Sequence, residues 1–129
     1  MTELTNRASA RDPQDLERLL VTRQHIGDLD GMVALYESQA VIDCGAGHKL
    51  HGLDAIRRYF GESIASGRKF ARGAQQPALL CGDLALTSTR LPDGSVTAEV
   101  ARRQSDGQTD GRWLWAIDRI TTAAETSNA

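Results

Sequence analysis

The chain has 129 residues, 40% of them hydrophobic and 25% charged, which fits one globular domain and excludes a largely disordered polypeptide. Its 15 basic and 17 acidic side chains leave a net charge of −2, so the basic surface of a nucleic-acid binder or a peripheral membrane protein is absent. No apolar run approaches the length of a membrane span.

The opening residues, MTELTNRASARD, contain no apolar stretch, so no secretory signal is expected and the cytoplasm is the expected location. Cys44 and Cys81 match no zinc or redox spacing and are expected as free thiols. His25, His48 and His51 form no metal-ligand pattern, and the glycines form no phosphate loop. The expectation is therefore a protein with no metal and no cofactor.

Residues 1–12 read as a polar tail. Asp12-Pro13 opens a helix, with Asp12 as cap and Pro13 at the first position. Leu16, Leu19, Leu20 and Ile26 form its apolar stripe, Arg23 lies at the edge, and Gly27 stops it. Both Arg23 and His25 are expected to be solvated. A second helix starts at Asp28 or Asp30, with Leu29, Met32, Val33 and Tyr36 at helical spacing. Gly31 weakens it by about 1 kcal/mol relative to alanine.

Ala40–Cys44 is partly β-branched and reads as a strand ended by Gly45 and Gly47. His48–His51 is a short return strand. Gly52-Leu53-Asp54 opens a third helix with Ile56, Tyr59, Phe60 and Ile64 on its apolar face. Phe70–Leu80 is expected as a long irregular strand, with Pro77 at a bulge or edge. Leu84–Leu91 and Ser95–Gln104 are strands joined by the turn Pro92-Asp93-Gly94. A loop over Asp106–Gly111 leads to the last strand, Arg112–Ile120.

This order gives an α+β fold: a cone-shaped barrel in which a curved, mostly antiparallel sheet wraps around three helices and encloses a central cavity. Residues 13–121 form the single domain, and 122–129 form a second tail. A hollow lined by apolar side chains is a usual ligand site.

Several stretches resemble a known group. Gly27-Asp28-Leu29-Asp30-Gly31-Met32-Val33-Ala34-Leu35-Tyr36, followed by Ala40-Val41-Ile42-Asp43, resembles the second helix and first strand of SnoaL-like and ketosteroid isomerase-like proteins of the nuclear transport factor 2-like superfamily. Gly52-Leu53-Asp54-Ala55-Ile56-Arg57-Arg58-Tyr59-Phe60 resembles the third-helix opening. Glu99–Gln104 with Gly111-Arg112-Trp113 resembles the final hairpin. The likeness spans about residues 13–120 and implies the fold more strongly than any one reaction.

The resemblance implies site residues position by position. Cys44 falls where ketosteroid isomerases carry their general base, with Asp43 one residue before it. A bulge that reversed the parity would make Asp43 the base instead. Leu20 falls at the oxyanion tyrosine and lacks a donor; Glu99 falls near the second oxyanion acid. Asp118 matches the late aspartate of SnoaL-like cyclases, although the preceding strand lacks their histidine. Epoxide hydrolase-like members use an Asp–Arg–Asp set, for which Arg90 or Arg103 is the available arginine.

The candidate catalytic residues are thus Asp118, Glu99 and Cys44. Asp118 interrupts an apolar strand, and a desolvated carboxylate there becomes a proton acceptor near neutral pH. Glu99 beside it would split the two pKa values into an acid and a base; a cross-strand ion pair is the plainer alternative. Cys44 is either a weak nucleophile or a buried, inert thiol. Leu20, Tyr36, Ile42, Tyr59, Phe60 and Phe70 are the candidate substrate-binding walls.

Strand parity puts Trp113, Trp115 and Ile117 on the face opposite Asp118. Either Asp118 points inward and this stripe forms a homodimer interface through the sheet face, or the tryptophans fill the core and Asp118 points out. The expected function is a cofactor-free acid–base enzyme (isomerase, cyclase, dehydratase or epoxide hydrolase type) acting on a small hydrophobic ligand such as a polyketide or terpenoid. The alternatives are a non-catalytic small-molecule-binding protein on the same scaffold and a protein–protein module.

Overall fold

The computed structural model describes residues 8–105 and 111–123. Most of the expected 106–111 loop and most of both tails lie outside the described residues.

Helix α1 runs Asp15–His25. Its entry is fixed by Asp12, whose side chain accepts the Gln14 N–H at 2.9 Å, and by Asp15, which accepts the Arg11 and Asp12 N–H groups. Acidic residues in the first turn and basic ones in the last complement the helix dipole. Leu16, Leu19 and Leu20 are buried. Ile26 lies past the helix end and is exposed, so it leaves the expected stripe. Arg23, in contrast, is buried: its guanidinium donates to Gly31 O and Ala8 O, both at 2.7 Å. Those carbonyls satisfy the charge and tie α1 to the next turn. His25 stays exposed and its Nε2 bonds Phe70 O.

Helix α2 is a single turn, Leu29–Val33, capped by Asp28, which accepts the Gly31 N–H at 3.0 Å. The cap folds over Gly31 so closely that a Cβ there would collide with the Asp28 carboxylate. The helix ends before Tyr36, which begins strand β1 instead of closing a helical stripe.

Strand β1, Tyr36–Asp43, pairs antiparallel with β2, Lys49–His51, across the Gly45–Gly47 turn. Helix α3 spans Leu53–Ala65 and buries Ile56 and Phe60. The expected long strand over 70–80 is two short pieces, β3 (Ala74–Gln75) and β4 (Leu79–Cys81). Pro77 falls in the break, where a ladder donor is not needed. Strands β5 (Leu84–Arg90), β6 (Val96–Arg103) and β7 (Trp113–Thr121) complete the chain.

The sheet order is β2-β1-β7-β6-β5-β3, with β4 also on β5. All pairs are antiparallel except β1 with β7. The sheet curves around the three helices and stays unclosed, which is the expected α+β cone.

One irregularity decides the site. In the β6–β7 ladder Val100 pairs Ile117, yet Ala101 pairs Trp115. Ala116 is the extra residue of a β-bulge, and the bulge resets the facing parity of β7. Trp113 and Trp115 are buried on one side of it, and Asp118 is buried on the other. The two readings that strict alternation sets against each other therefore both hold in part. The tryptophans fill the core, Asp118 points inward, and only Ile117 of the expected stripe is exposed.

Candidate active site

Three strands and two helices surround a cavity of about 180 Å3. Its apolar walls include Leu20 from α1, Ile42 from β1, Tyr59 and Phe60 from α3, and Phe70 from the segment that follows. Tyr36 completes the aromatic side, its ring 5.8 Å from Phe60 and 5.1 Å from Trp115. Phe70 is held in place by its N–H, which donates to the Gln24 carboxamide at 3.0 Å.

The polar groups come from three elements. Asp118 on β7 is 8% exposed and accepts the Tyr36 hydroxyl at 2.9 Å. Burial pushes its pKa up to about 6, and the tyrosine hydrogen bond holds it from going higher. Glu99 on β6 is 2% exposed and stands directly opposite Asp118 in the strand register. Its Oε1 accepts the Thr87 hydroxyl at 2.9 Å, and its Oε2 is buried with no hydrogen-bond partner among the described residues. Burial, then the Asp118 charge, push Glu99 up to about 8, against the opposing pull of the Thr97 and Thr87 hydroxyls.

Glu17 on α1 is a third acid in the same wall, a residue the sequence reading passed over. It precedes Leu20 by three positions and so shares its helix face, which was a usable signal. Burial, then Asp118, raise it to about 7, and Arg72 lowers it. Near neutral pH, then, Asp118 is mostly ionised while Glu99 keeps its proton. Burial, followed by the Asp118 charge, holds the Tyr36 hydroxyl well above its ordinary range, so it acts only as a donor.

Cys44 lies outside this wall. It is half-buried just past β1, beside the Tyr59 hydroxyl, and burial raises its pKa. A raised thiol is a poor nucleophile. Asp43 faces away: it pairs with Arg119 at 3.3 Å and accepts the Gly45 N–H. The register shift in β1 falls between Tyr36 and Val41, and beyond it Ile42 is buried in the cavity wall, which leaves its neighbour Asp43 on the other face. Arg103 is drawn to Asp83 at 2.6 Å, and Arg90 is exposed on β5.

A wider groove of about 610 Å3 opens on the outer side of β1. Its Arg57 pairs with Asp30 at 2.7 Å and its Glu37 with Arg102 at 3.0 Å. The carboxyls that burial shifts upward, Glu17, Glu99 and Asp118, line the inner cavity. Among the described residues, no group of three or more His, Cys, Asp or Glu side chains has the geometry to hold a metal ion. No helix among them is long and apolar enough to cross a membrane.

No protein-family model matches the chain, and no curated protein matches it. Solved structures do. A Thiobacillus denitrificans protein described as a calcium/calmodulin-dependent protein kinase type II association domain superposes with a TM-score of 0.73 at 12% identity, covering 89% of this chain and 98% of its own. A ketosteroid isomerase-like protein from Erwinia carotovora atroseptica gives 0.67 at 13% identity, over 84% of this chain and 92% of its own. An NTF2-like protein of unknown function from Pseudomonas putida gives 0.61 at 16% identity, over 84% and 82%. Identities this low carry a fold and not a reaction. The chain has the cone-shaped α+β fold of the NTF2-like and ketosteroid isomerase-like proteins.

Proposed function

We propose that this protein is a cofactor-free acid–base enzyme of the SnoaL-like or ketosteroid isomerase-like kind, acting on a small hydrophobic molecule in the cytoplasm. The observation that carries the reading is the pair Asp118–Glu99: two carboxyls face each other across one ladder, in one apolar hollow, with opposite protonation near pH 7. Divergent pKa values in neighbouring carboxyls assign a base and an acid.

In this mechanism Tyr36 holds the Asp118 carboxylate in one orientation. Asp118 removes a proton from a substrate carbon next to an unsaturated group. Glu99 donates its proton, or a hydrogen bond, to the far end of that group. Return of the proton to a different carbon completes an isomerisation, and the same intermediate serves elimination or ring closure. The cavity of about 180 Å3 suits a single ring with a short substituent, since an engineered cavity of about 150 Å3 takes benzene. That size favours a monocyclic, terpenoid-scale substrate over a fused-ring polyketide.

The test uses a panel of one-ring ketones and imines in D2O, followed by NMR for exchange of the proton next to C=O or C=N. The wild type is expected to catalyse exchange in at least one case, and Asp118→Asn to lose it by about 100-fold or more. Absence of catalysis across the panel, or equal rates in the variant, contradicts the reading. A binding protein on the same scaffold is the second reading, favoured by Leu20, which puts a side chain without a donor in the wall. Tight binding without any exchange would select it.

A homodimer through the sheet face is part of the proposal, on a different set of residues from the tryptophans. Leu79, Leu86, Val100, Ile117 and Val41 are register partners across five strands. Leu79, Leu86 and Ile117 are exposed, whereas Thr87 and Thr89 on β5 point inward. An apolar row facing out over a polar inner row supports a covered outer face.

A further inference from the structure

Acid groups reach the cavity from α1, β6 and β7, and among the described residues no basic side chain lines it. Arg72 sits in an outer cleft that Glu17 also borders, and it acts on Glu17. The other ionisable neighbours are Tyr36, Tyr59 and the Cys44 thiol beside Tyr59, with Arg68 acting on the Tyr59 hydroxyl. Glu99 Oε2 is the telling atom. It is buried, it belongs to a side chain in the cavity wall, and it has no hydrogen-bond partner among the described residues. Four aromatic rings share the hollow, with Phe60 lying 5.8 Å from Tyr36, 5.5 Å from Tyr59 and 6.2 Å from Phe70. Aromatic faces are negative. Carboxyls and ring faces therefore present potential of one sign, and an unpaired carboxyl oxygen, a donor while Glu99 holds its proton and an acceptor once it is lost, waits for a hydrogen-bond partner.

We propose that the ligand of this cavity is a single-ring hydrophobic molecule carrying one basic nitrogen, seated with the nitrogen on Glu99 Oε2 and its hydrocarbon against Tyr59, Phe60 and Phe70. This inference rests on the reading that the hollow is the substrate site and names the substrate class. A neutral amine or imine takes the Glu99 proton into its nitrogen lone pair. The carboxyl O–H bond breaks, an N–H bond forms, and a carboxylate–cation pair results. An ammonium that arrives charged releases the Glu99 proton to solvent. A carbonyl oxygen is far less basic and accepts only a hydrogen bond. With an imine, the protonated C=N draws electrons. Asp118 then takes the proton from the adjacent carbon, the C–H pair becomes a C=C bond, and the C=N π pair moves onto nitrogen to give an enamine.

Benzylamine and benzyl alcohol are one-ring probes of nearly equal shape that differ in charge. Calorimetric titration of each into the full-length protein is expected to give benzylamine an advantage of at least about tenfold near pH 8. That advantage is expected to shrink severalfold near pH 6, where the cavity acids are more protonated. In Glu99→Gln the two probes are expected to bind alike. Glu99→Ala gives the same readout if the first variant does not fold. Equal or tighter binding of benzyl alcohol near pH 8, or an amine advantage that survives in the variant, overturns the nitrogen assignment and leaves the cavity as a ligand site. Failure of both probes to bind removes the cavity as a ligand site, and the proposed function with it.

Discussion

Glu99 and Asp118 are register partners on β6 and β7, and the bulge at Ala116 lies two residues before Asp118. If Ala116 were paired in a regular ladder, the three-residue step from Trp115 would turn Asp118 to the opposite face. Strand β7 thus carries both one member of the buried acid pair and the tryptophans of the core.

Deleting Ala116 leaves Trp115 and Asp118 two positions apart, so a regular ladder keeps both on the inner face. The deletion variant is expected to fold and to keep its near-ultraviolet dichroism, and loss of that signal would contradict the bulge's role. Trp115, which is 1% exposed, tests the core directly. Trp115→Ala is expected to cost about 3–5 kcal/mol in urea unfolding. A cost below about 1 kcal/mol would mean the ring is not in the core.

Folding stability should depend on pH in a stated direction. Glu99 holds its proton up to about 8 in the folded chain, against 4.5 in an ordinary environment. Between those values the folded state binds more protons than the unfolded one, so stability falls as pH rises through this window. Glu17, at about 7, and Asp118, at about 6, act in the same sense. Glu99→Gln is expected to flatten the slope and to stabilise the protein at the alkaline end by roughly 2–4 kcal/mol. Urea denaturation from about pH 5 to about pH 8 checks this, and an unchanged slope in the variant would contradict it.

The helices and long strands were legible because their apolar spacing is regular: Leu16, Leu19 and Leu20 in α1, and Ile56 and Phe60 in α3, are buried as the periodicity requires. The cavity walls were legible for the same reason, since Leu20, Ile42, Tyr59, Phe60 and Phe70 lie on those faces. Glu17 was visible by its spacing from Leu20 and was missed because a charged residue on an early helix turn reads as dipole compensation. The bulge left no mark, because Ala116 fits either an alternating or a bulged strand. Arg23 was misjudged because its partners, Gly31 O and Ala8 O, are backbone atoms that no side-chain pattern announces.

Tyr36→Phe keeps the ring and removes the hydroxyl that donates to Asp118. That hydrogen bond favours the ionised carboxylate, so its loss is expected to move the Asp118 titration upward from about 6. In a catalysed exchange reaction the acidic limb of the pH–rate profile shifts the same way. A limb that stays in place would show that the tyrosine does not tune the base.

The sheet-face dimer has a separate test. Ile117 and Leu86 are exposed and flank Val100 in one row. Ile117→Lys with Leu86→Lys is expected to convert a dimer to a monomer in analytical ultracentrifugation while the far-ultraviolet spectrum is retained. An unaltered mass, or a monomeric wild type, would place the contact elsewhere or remove it.

Carbon-detected NMR titration of the side-chain carboxyls measures the opposed protonation of Asp118 and Glu99 most directly. Asp118 is expected to ionise first, near 6, and Glu99 later, near 8, so that between them one is a base and the other an acid. Two carboxyls ionising together in the ordinary range near 4, or Glu99 ionising before Asp118, would contradict the account.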